Sequence, residues 1–128
     1  MNKTHLIITT PLAHRGLHNE KWDENSIPAF ENAIANGVGI ELDVHMMKDG
    51  NIAVVHDANL KRVTGSDVEI SALTKQELIK FPLLKSKTTI PLFEDVLTLV
   101  AGQVPILVEL KVENNFDPEF AKKVLEIL

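Results

Sequence analysis

Gly39-Ile40-Glu41-Leu42-Asp43-Val44-His45-Met46-Met47 sets two demands against each other. Side chains on a strand alternate with a period of two. Ile40, Leu42 and Val44 therefore share one face, and Glu41 and Asp43 share the other, with His45 at their parity. A second stretch, Ile106-Leu107-Val108-Glu109-Leu110-Lys111-Val112, repeats the pattern: Glu109 and Lys111 stand at i, i+2, and Leu107 lies further back on the same face. One reading is an open antiparallel sheet whose acidic face is solvated. The other is a parallel sheet covered on both sides, where carboxylates are costly unless paired or bound to a cation. On that reading Glu41, Asp43 and Glu109 form a candidate all-oxygen metal site. Oxygen-only ligation suits a hard divalent cation, Mg²⁺ or Ca²⁺.

Outward from these strands, apolar runs alternate with segments of helical period. Leu6–His14 reads as a first strand, with Pro11 inside it favouring an irregular or edge start. A polar loop, Leu17–Asn25, follows. Asn25 or Ser26 is a helix N-cap with Pro28 in the first turn, and Gly37 stands where a C-terminal glycine belongs. Gly39–Met47 is a strand, Lys48–Asn51 a turn marked by Asp-Gly, and Ile52–His56 another strand. Asp57–Thr89 is an irregular excursion with one short helix over Thr74–Lys80. Leu92–Ala101 reads as a helix stopped by Gly102, and Val104–Val112 as a strand. Asp117 caps a last helix in which Phe120, Val124, Leu125 and Leu128 recur on one face. Strand–helix alternation with strands of this kind argues for an α/β fold with parallel pairing.

The chain has 128 residues, the length of one small domain. Apolar residues make up 45% and charged residues 24%, which excludes a disordered chain. The longest apolar run falls short of a membrane span, and Leu6–Ala13 lacks the features of a secretory leader. Cysteine is absent, so disulfides and thiolate metal sites are excluded and the cytoplasm is the expected compartment. Eighteen acids against 13 bases give a net charge of −5, which argues against nucleic acid as a partner.

Two histidines stand where strands end. His14 precedes Arg15-Gly16, and His56 precedes Asp57. Each alone reads as a hydrogen-bonded structural residue. Together, near acids on other strands, they suit a general acid/base pair, since parallel α/β folds place chemistry at the carboxyl ends of strands. Arg15 could grip a phosphate with two prongs, or be a surface arginine. Three carboxylates, a divalent ion, Arg15 and Lys111 leave one positive charge, matching a phosphodiester.

These residues resemble the glycerophosphodiester phosphodiesterase family. The resemblance is carried by His14-Arg15-Gly16, Glu24-Asn25-Ser26, Glu41-Leu42-Asp43-Val44, Lys48-Asp49-Gly50, His56-Asp57, Ile90-Pro91-Leu92-Phe93-Glu94-Asp95-Val96-Leu97 and Val108-Glu109-Leu110-Lys111, in the family's order. Ser26 and Met47 stand where that family usually has threonine. The resemblance implies a phospholipase-C-like phosphodiesterase TIM barrel that hydrolyses glycerophosphodiesters to glycerol 3-phosphate and an alcohol. Glu41, Asp43 and Glu109 would hold the cation, His14 and His56 would act as acid and base, and Arg15 and Lys111 would bind phosphate. Residues 57–89 would be the short insertion that family members carry. A complete (β/α)₈ barrel takes ~250 residues. Residues 1–128 would then be the N-terminal half of the domain, about half a barrel. Such a half exposes sheet edges and an apolar interior. It calls for a missing C-terminal half or a second copy as a homo-oligomer; the alternative is an inactive half-barrel that serves as an assembly or binding module.

Overall fold

The computed structural model describes residues 11–111 and 118–127. Among them is a four-stranded sheet built around one long strand. Chain order runs β1 (Leu12–His14), α1 (Ile27–Ala35), β2 (Gly39–Met46), β3 (Ile52–Val54), α2 (Lys61–Thr64), a 3₁₀ turn (Ile70–Ala72), α3 (Lys75–Leu78), α4 (Phe93–Val100), β4 (Ile106–Leu110) and α5 (Pro118–Ile127). The expected residues Leu6–Thr10, Val112, the Asp117 cap and Leu128 lie outside the described residues.

β1 and β4 both run parallel to β2, with registers Leu12↔Gly39 through His14↔Glu41 and Ile40↔Ile106 through Val44↔Leu110. Successive amides of a strand point to opposite edges. The Gly39 N–H donates to Pro11 and the Ile40 N–H to Pro105, so β1 and β4 flank β2. β3 returns antiparallel along the last part of β2, Val44↔Val54 to Met46↔Ile52. The Asp-Gly turn reverses the chain here. β1 and β4 are each followed by a helix, and β2 by the β3 hairpin and the excursion before α4, a partial (β/α) barrel.

α1 forms where the sequence signals it. Ser26 is the N-cap, its Oγ accepting from the Ala29 N–H at 3.3 Å, and Pro28 sits in the first turn, where its missing N–H costs nothing. Ala29, Phe30 and Ala33 face inward. Phe30 and Ala33, with Ile40, Leu42 and Val44 of β2, Phe93, Val96 and Val100 of α4, and Phe120 and Val124 of α5, belong to the main core. Phe30→Ala would cost about 3–5 kcal/mol there. Gly16 closes the turn after β1 at φ +80°, and a Cβ on it would lie 2.9 Å from the Phe30 ring. Only glycine gives both that backbone and that approach.

The excursion has a core of its own. Alternation in β3 sends Ile52 and Val54 to the main core, and Ala53 to a second cluster with Leu60, Val63, Ile70, Leu73, Leu78, Leu83, Ile90 and Leu92. α3, expected over Thr74–Lys80, spans Lys75–Leu78 and carries a capping box between Thr74 and Glu77. Asp23 ties the excursion down, accepting from the Ser86 N–H at 2.8 Å, the Ser86 hydroxyl at 2.9 Å and the Lys85 N–H at 3.2 Å.

Three expectations need correction. β3 stops at Val54, so strand parity does not extend to His56. Leu125 is 69% exposed and is not part of the apolar face of α5. Glu109 is not on a covered face: β4 is an edge strand on which Leu107 and Glu109 are both exposed while their neighbours are partly buried. Among the described residues no helix is long and apolar enough to cross a membrane.

Candidate functional site

The acids converge through register. β2 is buried along nearly its whole length, with Ile40, Leu42 and Val44 facing the helices and Glu41, Asp43 and His45 facing the other way. Asp43 is the register partner of Glu109, Glu41 of Leu107, and His14 of Glu41. One ligand oxygen each from Glu41, Asp43 and Glu109 lies within 4.8 Å of the others.

The electrostatics of the three differ. Burial, and then the charge of Asp43, push the Glu41 carboxyl above its ordinary range, partly offset by the Arg15 N–H donating to Oε1 at 3.1 Å and by nearby His14. Asp43 is almost fully enclosed. Its Oδ2 accepts from Asn25 Nδ2 at 3.1 Å and lies 3.8 Å from Arg15 Nε. Its Oδ1 has no hydrogen-bond partner, and the Lys111 ammonium stands off at 3.7 Å. Glu109 is held below the usual carboxylate range by a 2.9 Å hydrogen bond from Lys111, whose own pKa is raised in return. A buried anionic oxygen without a donor, beside two more carboxylates, is the electrostatic signature of a place for a cation. The all-oxygen donor set fits a hard divalent ion.

Arg15 and Lys111 both border this cluster. Arg15 adopts φ +60°, the left-handed region that non-glycine residues rarely occupy, and its guanidinium bridges Glu24 at 3.0 Å and Asp43. His14 is exposed at the end of β1, level with Glu41. His56 arrives by a different route from the one its strand-end position suggested. Because β3 runs antiparallel, its carboxyl end turns back toward the middle of β2, and the Val55 N–H donates to the Asp43 carbonyl. His56 Nδ1 lies 2.8 Å from Asp57 Oδ1. An ionised carboxylate only accepts, so Nδ1 carries the proton and Nε2 of the neutral ring is left as the basic nitrogen.

Several residues at this site had no role in the sequence. His45 Nε2 donates to the His56 carbonyl at 2.8 Å and anchors that backbone. Strand parity put His45 beside the acids without supplying a partner. Arg62 donates to Asp57 Oδ2 at 2.8 Å and to Glu24 at 2.7 and 2.9 Å. The chain of contacts His56–Asp57–Arg62–Glu24–Arg15–Asp43 therefore joins both flanks of the site. Glu24 and Arg62 are 38 residues apart, so no local pattern signals the pair. Burial alone would raise Glu24, but the hydrogen bonds and charges of Arg62 and Arg15 outweigh it and lower its pKa.

The Arg62 hydrogen bond also drops Asp57 from 3.8 to about 2 against an opposing effect of burial. A depressed carboxylate stabilises the fold fully above its unfolded pKa and loses that contribution as pH falls toward its folded one. Asp57 therefore protects the fold between about 4 and 2. Arg62→Met would cost about 1 kcal/mol at neutral pH, a modest figure because Arg62 is half-exposed. It would also shift the acid-unfolding midpoint to higher pH, followed by circular dichroism. An unmoved midpoint would show that Arg62 does not hold Asp57.

Residues 14–127 match the model of the glycerophosphoryl diester phosphodiesterase family. A glycerophosphodiester phosphodiesterase of Bacillus altitudinis is 36% identical, over 93% of this chain and 52% of that protein. A lysophospholipase D of Mus musculus is 34% identical, over 98% and 43%. The crystal structure of a Thermotoga maritima glycerophosphodiester phosphodiesterase superposes with a TM-score of 0.77 at 38% identity, covering 92% of this chain and 48% of that one. A phosphodiesterase of Oleispira antarctica, solved with the product sn-glycerol-3-phosphate, has a TM-score of 0.83 at 24% identity, over 95% and 53%, and shares the fold. The chain spans about half the length of the curated relatives it matches. It belongs to the glycerophosphoryl diester phosphodiesterase family.

Proposed function

We propose that this chain carries the catalytic centre of a cation-dependent glycerophosphodiesterase, which hydrolyses a glycerophosphodiester to glycerol 3-phosphate and an alcohol. The observation that carries this is the convergence of Glu41, Asp43 and Glu109, with Asp43 Oδ1 buried and without a hydrogen-bond partner, inside the family-matched segment. These three residues would hold Mg²⁺ or Ca²⁺. When bound, the ion would polarise the phosphoryl oxygens and lower the pKa of the attacking hydroxyl, from water or from the substrate's own glycerol 2-OH; attack by the 2-OH releases the alcohol and leaves a cyclic phosphate, which a water then opens to glycerol 3-phosphate. Arg15 and Lys111, each fixed against carboxylates, present cationic groups to the phosphate. His56, with Nε2 as its basic nitrogen, takes the proton of the attacking hydroxyl, and His14 returns one to the leaving alcohol.

In this reading residues 1–128 are the N-terminal half of the domain, and 57–89 an insertion after its second parallel strand. The rest of the barrel comes from a C-terminal half or from a second copy of the chain. The decisive assay measures glycerol 3-phosphate release from glycerophosphocholine in EDTA, in Mg²⁺ and in Ca²⁺. It is run on the chain and on the chain joined to its continuation, with sedimentation velocity reporting assembly. A lysophosphatidylcholine arm is included because one relative is named a lysophospholipase D. Cation-dependent release is the expected result. An assembled protein that releases nothing in either ion overturns the proposal.

A second reading, an inactive assembly module, is favoured by the open face of β4, where Leu107 is 42% exposed. It expects a cation to raise the melting temperature without any product.

A further inference from the structure

Asn25 does more than its turn requires. Its φ is +49°, and its backbone N–H donates to the Arg15 carbonyl at 2.7 Å, tying together the two ends of the loop between β1 and α1. Asparagine tolerates left-handed backbone, so the turn accounts for that much. It does not account for the side chain, which is 2% exposed. Nδ2 donates to Asp43 Oδ2 at 3.1 Å, while Oδ1 is buried without a partner. A residue kept only for stability would not bury an unpaired carbonyl oxygen. Turning the amide over would set that oxygen against the Asp43 carboxylate, so the carboxylate fixes the orientation. Asp43 itself is held at Oδ2 and has no hydrogen bond at Oδ1.

We propose that Asn25 is the positioning residue of Asp43: its amide pins Oδ2 so that Oδ1 is presented to a divalent cation. The inference rests on the cation-site reading above and adds a residue to it. Hydrogen bonds that orient a ligating carboxylate commonly change cation affinity 10- to 100-fold.

The test uses Asn25→Gly. Glycine accepts φ +49° without strain and keeps the N–H bond to Arg15, so only the amide is removed. Asn25→Asp keeps the shape but faces Asp43 with a second carboxylate. Ca²⁺ and Mg²⁺ are titrated calorimetrically into the whole chain and into both variants, and melting is recorded without cation. The expected result is cooperative cation-free melting for Asn25→Gly, with loss of the bond to Asp43 partly offset by removal of the unpaired Oδ1, and cation affinity roughly 10- to 100-fold weaker, with a loss at least as large for Asn25→Asp. Parental affinity in Asn25→Gly would reduce Asn25 to a turn residue and overturn the inference. A parent chain that binds neither ion is a different failure: it removes the cation-site reading and this inference with it.

Discussion

Glu41→Gln is expected to move stability in opposite directions with and without cation. In EDTA the variant should melt roughly 2–5 °C higher than the parent. In saturating Mg²⁺ or Ca²⁺ the order should reverse, because the parent gains stability from the bound ion and the variant has lost roughly 100-fold or more in affinity. The argument begins from burial. Glu41 is 9% exposed, on a strand whose other face is core, and its neighbour on the same face is the enclosed Asp43. Its carboxyl is pushed upward by burial first and by Asp43 second, so the charged form is disfavoured where it stands. Glutamine keeps an oxygen for the Arg15 N–H, which now donates to Oε1 at 3.1 Å, and discards the repulsion. A carboxylate kept for structure alone would behave differently: its removal would lower melting in EDTA, and cation would change nothing. Differential scanning fluorimetry with both ions separates the two. A variant that melts below the parent in EDTA, beside a parent that ignores both ions, would end the cation assignment.

How much of this was legible in the sequence depended on whether the signal was local. Period-two alternation put Glu41 and Asp43 on one face and Glu109 and Lys111 on another, and parallel pairing brought the two faces together as Asp43↔Glu109. The helix limits followed Ser26, Pro28 and Gly37 because caps are short-range chemistry. The reversal of β3 was also written locally, in Asp49-Gly50, yet treating His56 as the exit of a parallel strand overlooked that a tight turn makes neighbours antiparallel. What alternation cannot give is which strand forms the edge, and so the exposure of Glu109 could not be read. Nor can it give contacts across long separations. The Glu24–Arg62 pair and the burial of the Asn25 amide against Asp43 depend on loops meeting after the sheet has formed.

His14→Ala and His56→Ala are each expected to lower turnover about 10²- to 10⁴-fold, the range contributed by a positioned acid or base. Both should leave cation affinity at its parental value. The separation follows from where the rings stand. His14 is exposed at the end of β1, so truncating it opens no cavity in either core. It sits beside Glu41, not among the three ligand oxygens. His56 is held from outside the cluster, by Asp57 on its ring and His45 on its carbonyl. Asp57 is ionised down to about pH 2 and keeps the proton of His56 on Nδ1 across the working range. Asp57→Asn should therefore weaken turnover in the same direction as His56→Ala, since an amide that presents its NH₂ to the ring favours the other tautomer. The paired measurement is calorimetric cation binding together with the initial rate of glycerol 3-phosphate release, made on whichever assembly shows turnover. Loss of rate with binding intact assigns the imidazoles to proton transfer. Parental rate in either alanine variant removes that histidine from the reaction, and loss of both properties together would place it with the carboxylates as part of the cation's surroundings.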